Sequence, residues 1–307
     1  MNEGNNIYYL RHAEINKTKW DECISVAHNG LIYAFSFYLD AMAKNWDAMV
    51  LGDYEAVMPL TWNKKYGISY LYQPAFTASS GVFGKDLTES LIGDFIKSIP
   101  KKFKLIEIAL NHGNVFSTPT GFSVIRNNYT LSLNKDYQSL CSSYKENIRR
   151  NIKKAQQIGC TLKKDIPVAD VVALSKPAMQ QISNLKEEDY RHFESLYQLL
   201  RQQNKAITYG VYSPDNELVA SCVYFFSHKR AYYILVGNHQ NGKTMGASHY
   251  LIDRFIVDHA NQDLLLDFEG SDIRNLAFFY SSFGAEVEIY PFLKINHLPF
   301  WMQWLKR

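Results

Sequence analysis

Between Ile207 and Val236 the chain carries three apolar runs of strand length, Ile207 to Tyr212, Leu218 to Phe226 and Ala231 to Val236. Pro214-Asp215-Asn216 separates the first two, and these residue types favour a hairpin turn. Runs this short, rich in β-branched and aromatic residues, fit a pleated and buried surface better than a helix. They predict an antiparallel set at the centre of the second half. Helical patterns flank it. Ahead of it lie Tyr137 to Ile158, with a break expected near Ser142 and Gly159 as C-cap, then Val168 to Ser183 and Glu187 to Gln203. Pro177 should break or kink the middle one. After it come a helix from about Gly246 to Asn261, a strand Leu264 to Phe268, a short helix around Asn275 to Ser282 and a strand Val287 to Tyr290. This order is an α+β layer rather than a regular βαβ series.

The first half has a similar rhythm. Ile7 to Arg11 reads as a strand, Lys19 to Ala27 and Phe37 to Lys44 as helices. A meander follows in Ala48 to Leu51, Ala56 to Trp62 and Ile68 to Tyr72, with Gly52-Asp53 and Asn63-Lys64-Lys65 as its turns. Thr88 is placed to cap a helix that runs to Ser98 and stops at Pro100, and Leu105 to Leu110 and Tyr129 to Leu133 read as further strands. A length of 307 residues suggests two domains, here 1–135 and 136–307, with the tail 292–307 returning to the first. Hydrophobic residues at 47% with 21% charged exclude disorder as the dominant state. The 33 basic residues against 30 acidic ones are too even to demand a nucleic-acid partner, and no DNA is expected. Cys23, Cys141, Cys160 and Cys222 lie far apart without Cys-x-x-Cys spacing, which argues against a zinc knuckle or a redox pair; no metal is expected. No secretory leader and no apolar run of membrane-spanning length is visible, so the expected setting is soluble and cytoplasmic.

Several segments carry a resemblance to a known family. Asn275-Leu276-Ala277-Phe278-Phe279-Tyr280, followed by Gly284, resembles the GNAT acyltransferase segment in which an Asn and an Ala precede a Phe-Tyr or Leu-Tyr pair and a later Gly. The nearer resemblance is to the FemAB-like branch, in which two GNAT-like domains stand in tandem. It rests on Asn147-Ile148-Arg149-Arg150-Asn151-Ile152-Lys153-Lys154-Ala155 ahead of Gly159, on Asp267-Phe268-Glu269-Gly270-Ser271, and on Tyr280-Ser281-Ser282-Phe283-Gly284-Ala285. The first half is similar around Asn45-Trp46-Asp47 and Val57-Met58-Pro59-Leu60. The resemblance implies an α+β fold of two tandem GNAT-like domains, each a mixed and largely antiparallel sheet with flanking helices. It also implies N-acyl transfer. The peptidoglycan-building members carry a Lys or Arg where this chain has Tyr280, which points away from their substrates, aminoacyl-tRNA and cell-wall precursor.

Direct acyl transfer to an amine needs little machinery: oxyanion donors for the carbonyl and an acid for the leaving group. No Gly-x-Ser-x-Gly elbow suggests a covalent route. The resemblance gives Tyr280 the place of a general acid near the coenzyme A sulfur; the residues alone equally allow a core aromatic packing with Phe279 and Phe283. Asn241-Gly242-Lys243-Thr244-Met245-Gly246-Ala247 precedes a helix, and such a loop either offers amides to a pyrophosphate or is a plain strand-to-helix turn. Gly242, Lys243, Thr244, Gly246, Ala247 and, through its motif, Asn275 form the expected acyl-CoA-binding set. Asp267 and Glu269 alternate about Phe268, so both carboxylates are expected on one face as a base and a substrate contact, unless Asp267 or Ser271 caps the next helix. His249 is positioned to assist or is a satisfied polar residue. Arg149 with Lys153, and Arg150 with Lys154, form basic stripes that are a solvated face or a grip on the phosphates of coenzyme A, a nucleotide-linked acceptor or tRNA. The apolar Pro299 to Leu305 segment is expected to dock on the first domain or complete a sheet, or else to bind a partner. The reading is an N-acyltransferase taking acyl-CoA to an amine on a small molecule or cell-envelope precursor. Aminoacyl-tRNA as donor, or a ligand-binding protein without catalysis, are the rivals.

Overall fold

The computed structural model describes residues 6–117, 123–270 and 273–299. They fall into two units, one taking the chain up to Arg126 and again from Ile289, the other Asn127–Glu288. In chain order the first unit holds β1 (Ile7–Leu10), α1 (Lys17–Val26), α2 (Ser36–Met42), β2 (Trp46–Leu51), β3 (Ala56–Lys65), β4 (Ile68–Leu71), β5 (Phe83–Gly84), α3 (Glu89–Lys97) and β6 (Phe103–Ala109). β7 (Ser123–Ser132) leads into the second unit, with α4 (Tyr137–Ser142), α5 (Glu146–Ile158), β8 (Thr161–Lys164), α6 (Val168–Ile182) and α7 (Glu187–Gln202). It continues through β9 (Ala206–Tyr212), β10 (Leu218–Ser227), β11 (Arg230–Asn238), α8 (Gln240–Met245), α9 (Ala247–His259), β12 (Leu265–Asp267) and α10 (Arg274–Ser281), and β13 (Glu286–Asn296) leads back.

The sheet of the first unit runs β1-β2-β3-β4-β6-β13, with β5 beside β3. Its core forms where α3 lays Leu91, Ile92, Phe95 and Ile96 against Met58, Leu60, Leu71 and Ile106. That spacing puts the four apolar residues on one stripe, and the Thr88 hydroxyl caps the helix by accepting the Leu91 N–H at 3.2 Å.

In the second unit the order is β7-β12-β11-β10-β9-β8. All its pairs are antiparallel except β11 with β12, whose connection crosses over through α8 and α9. Tyr209, Tyr224, Tyr233, Phe255, Phe268 and Phe283 dominate the core. α5 adds Ile148, Ile152 and Ala155 to it and ends at Gly159 in the left-handed conformation (φ +92°), as the sequence leads one to expect.

Local signals mislead at four places. The small-residue stretch from Asn241, expected as a loop, forms α8 up to Met245, with Gly246 as its left-handed C-cap. α6 runs through Pro177 without ending, held along β11 by packing. β8 is a short, mostly exposed strand, Thr161-Leu162-Lys163-Lys164, that periodicity did not mark. β13 continues past Pro291 to Asn296, because Pro291 needs no N–H there and offers its carbonyl to the Leu110 N–H at 2.8 Å. Among the described residues no helix is long and apolar enough to cross a membrane. The tail from residue 300 and Ser271 lie outside the described residues.

Candidate active site

β12 is the pivot of the second unit. Asp267 ends it, pairing with Tyr232 of β11 on one side and Thr130 of β7 on the other. Its carboxylate is buried and fully engaged. Oδ2 accepts from Arg230 Nη1 at 2.6 Å, while Oδ1 accepts from Asn128 Nδ2 at 2.9 Å and the Glu269 N–H at 2.8 Å. Arg230, itself buried, also holds Glu288 through both terminal nitrogens at 2.8 and 2.9 Å. A buried guanidinium between two carboxylates is stable only with such complete pairing. These contacts leave Asp267 to fix the chain rather than to face a ligand. The expected alternation of Asp267 and Glu269 on one face does not occur, because the strand stops at Asp267 and the backbone turns.

That turn is where Glu269 sits. Glu269 has φ +61° and Gly270 φ +81°, two left-handed residues in succession. For a glutamate this conformation costs about 1–3 kcal/mol, and such strain gathers at functional sites. Two contacts hold it: the Glu269 N–H on Asp267 and the Gly270 N–H on the Asn128 side-chain oxygen.

Tyr280 projects from α10 into the core with 8% of its surface exposed. Its ring lies parallel on Phe268, 4.5 Å between centroids and 18° between planes, with Phe279 at 5.6 Å. Burial pushes the phenol above its ordinary value, and the Glu269 carboxylate pushes it further. Tyr280 therefore keeps its proton at neutral pH and can give it, but cannot serve as a base. Among the described residues its hydroxyl makes no hydrogen bond. The ring is thus part of the core, as one of the two expectations has it.

His249, in the first turn of α9, packs edge-on against Phe279 at 4.9 Å and lies 6.4 Å from Phe283. Among the described residues its buried Nδ1 finds no hydrogen-bond partner, and burial pulls the imidazole down to about 4. It is neutral at neutral pH. Phe279 is thus flanked by Tyr280 in sequence and by His249 in space, which joins two of the expected residues.

The expected cofactor loop has a different logic. A Cβ on Gly242 would stand 2.1 Å from the Val219 carbonyl oxygen of β10, and one on Gly246 2.4 Å from the Asn151 carbonyl oxygen of α5. The glycines let α8 press onto the sheet and let α9 start against α5, with Gly246 at φ +77°. Gly242, Gly246 and Ala247 are buried, while Lys243 and Thr244 are exposed. On α5, Arg149 is spent on the carbonyls of Ser142 (2.7 Å) and Cys141 (3.2 Å), closing the end of α4. Arg150, Lys153 and Lys154 are exposed and make no ion pair among the described residues. Helical geometry places Arg150 and Lys154 on the flank of α5 that also carries Asn151, hence toward Gly246 and Lys243. Asn275 is exposed near the start of α10.

The residues that sequence reasoning missed are Arg230, Asn128 and Glu288. A cation opening the otherwise apolar Arg230 to Val236 run was a usable signal, since a buried Arg needs carboxylates. Their identity depended on the parallel register of β11 with β12. Among the described residues no group of three or more His, Cys, Asp or Glu could hold a metal ion.

Two mixed sheets with helices on them, one parallel pair at β12 and a helix starting beside it define a FemAB-like, GNAT-related fold with tandem GNAT-like domains. Among solved structures the chain is similar to FemX, at 12% identity and a TM-score of 0.65, over 97% of this chain and 99% of that one. It is also similar to a conserved protein of unknown function from Bacteroides thetaiotaomicron VPI-5482, with 10% identity and TM-score 0.58 over 94% and 100% of the two chains. A third likeness is to the C-terminal domain of a putative lysylphosphatidylglycerol synthetase from Agrobacterium fabrum, with 8% identity and TM-score 0.51 over 82% and 84%. No protein-family model and no curated protein matches the sequence.

Proposed function

We propose that the protein is an N-acyltransferase that moves an acyl group from acyl-CoA to an amine acceptor by direct attack, with Tyr280 as the general acid. The observation that carries this reading is the state of Tyr280: a protonated phenol, clamped by Phe268, with an unspent hydroxyl beside a glutamate held in a strained turn. The amine nitrogen attacks the thioester carbonyl, Glu269 accepts the proton it sheds, the C–S bond breaks, and Tyr280 protonates the departing sulfur. Asp267, Arg230 and Asn128 position Glu269 and do not touch the reacting atoms. His249 keeps a neutral imidazole in the wall of the site.

The exposed Arg150, Lys154 and Lys243 around the start of α9 support a phosphate-bearing donor, with Lys153 on the opposite flank of α5. Both coenzyme A and aminoacyl-tRNA carry phosphates. The names of FemX and of the lysylphosphatidylglycerol synthetase domain keep the tRNA donor as a second reading, with the same cations as its support. Calorimetry with acetyl-CoA, longer acyl-CoAs and charged tRNA separates the two. The expected outcome is saturable acyl-CoA binding, weakened and made less salt-dependent in an Arg150→Glu, Lys154→Glu double variant whose melting temperature is unchanged. Binding of tRNA alone would replace the donor, and no binding of either at millimolar concentration would sink the phosphate grip.

A further inference from the structure

The first unit carries a cavity that the acyl-transfer reading does not use. It measures about 640 Å3, within the range of small-molecule sites, and lies on the face of the sheet opposite α3. The register puts Asn63 with Tyr70, Tyr70 with Leu105, and Leu105 with Asn296 on this face. The rings of Tyr66, Tyr70, Tyr72 and Phe292 line it, with Leu105 and Leu298 between them.

Two of its polar members, Gln73 and Tyr72, are committed. Gln73 spends its Nε2 on the Thr77 carbonyl (2.9 Å) and its Oε1 on the Ala109 N–H (3.0 Å). The Tyr72 hydroxyl accepts the Lys44 N–H at 2.9 Å. Glu107 stands directly across from Lys294 in the register. A sugar or nucleotide placed here carries more polar groups than Lys65 and the Tyr66 and Tyr70 hydroxyls could pair, and each one left unpaired weakens binding. A hydrocarbon body loses nothing. At the mouth, Lys65 lies 5.4 Å from the Tyr66 ring centre and makes no ion pair among the described residues. Tyr66 is 79% exposed and holds φ +51° at the tip of the β3–β4 hairpin, where Asn or Gly is the relaxed choice. A bulky aromatic kept there at a cost in strain closes the same mouth.

We propose that this groove binds a single-chain amphiphile with a carboxylate head, the chain lying over Tyr70, Leu105 and Phe292 and the head meeting Lys65. A methylene group fills roughly the volume of a liquid water molecule, about 30 Å3, so the groove takes about twenty of them, enough for one long chain and too few for two of that length. The site belongs to the first unit, and its failure would leave the acyltransferase reading untouched.

The probe is dodecanoate below its micelle concentration, titrated calorimetrically into the full chain, with dodecanol and phosphatidylglycerol vesicles in parallel. The expected result is saturable 1:1 binding of dodecanoate. Lys65→Glu, at an exposed position, should weaken dodecanoate about three- to tenfold and leave dodecanol unchanged. Tyr70→Asp, which plants a charge in the floor, should weaken both at least about tenfold, and its melting curve checks that it folds. Absence of saturable dodecanoate binding, equal binding by Lys65→Glu, or binding only to vesicles would each overturn the proposal.

Discussion

In the first unit the side-chain amides of Asn29, Asn111 and Asn114 are buried with their donors spent. Asn29 Nδ2 gives to Val82 O and Asn111 Oδ1 (both 2.8 Å), Asn111 Nδ2 to Ser80 O (2.9 Å) and Val82 O (3.0 Å), and Asn114 Nδ2 to Val82 O (2.9 Å). In the second unit, among the described residues, His249 buries an Nδ1 that finds no partner, and the Tyr280 hydroxyl makes no hydrogen bond. Both sets lie in well-packed surroundings, so the difference is not looseness. A saturated cluster fixes loops and asks nothing of a ligand; an unsaturated one costs stability unless something else completes it. The second unit also holds a saturated cluster, Arg230 with Asp267, Glu288 and Asn128, one turn of chain from the open groups. Rigid pairing beside unspent chemistry is the arrangement a positioned acid requires.

The comparison can be broken from its saturated side first. Arg230→Met leaves two carboxylates without their cation and should cost about 3–5 kcal/mol, read as a lowered urea midpoint. A loss under about 1 kcal/mol would show that the network is not what holds the Glu269 turn.

The next effect belongs to the open side. A histidine drawn down to about 4 in the folded chain, from 6.5 in the unfolded one, binds its proton less well when folded. Its contribution is complete above pH 6.5 and is lost as the pH falls toward 4, up to about 3 kcal/mol. His249→Leu should flatten that part of the stability–pH curve. An unchanged slope would mean that the imidazole finds solvent or a partner.

Asn111→Ala should cost about 1–3 kcal/mol by stranding the groups it satisfies, with no dependence on pH across the same range. A pH-dependent loss would blur the contrast between the two clusters.

Much of the frame was legible. Thr88, Gly159 and the break before α5 are local signals with local causes, and the apolar runs of β9, β10 and β11 needed no tertiary knowledge. What escaped depends on contacts distant in sequence. Gly242 and Gly246 look like loop glycines until Val219 and Asn151 are seen against them. Arg230 is an ordinary strand-opening cation until β12 places Asp267 beside it. Asp267 and Glu269 looked equivalent on alternation, and only the left-handed turn after β12 separates the fixed carboxylate from the strained one. Tyr280 was the reverse case, because its motif was readable while its unspent hydroxyl was not.

Tyr280→Phe removes one oxygen and keeps the ring on Phe268, so it tests the acid and not the core. The decisive measurement is the single-turnover acyl-transfer rate of this variant against the unaltered protein, with the same acyl-CoA and a panel of amines. The account predicts a fall of about 100-fold or more, with acyl-CoA affinity and melting temperature nearly unchanged. A variant that transfers at the full rate, with a lowered melting temperature, would make Tyr280 a core residue and contradict the assignment.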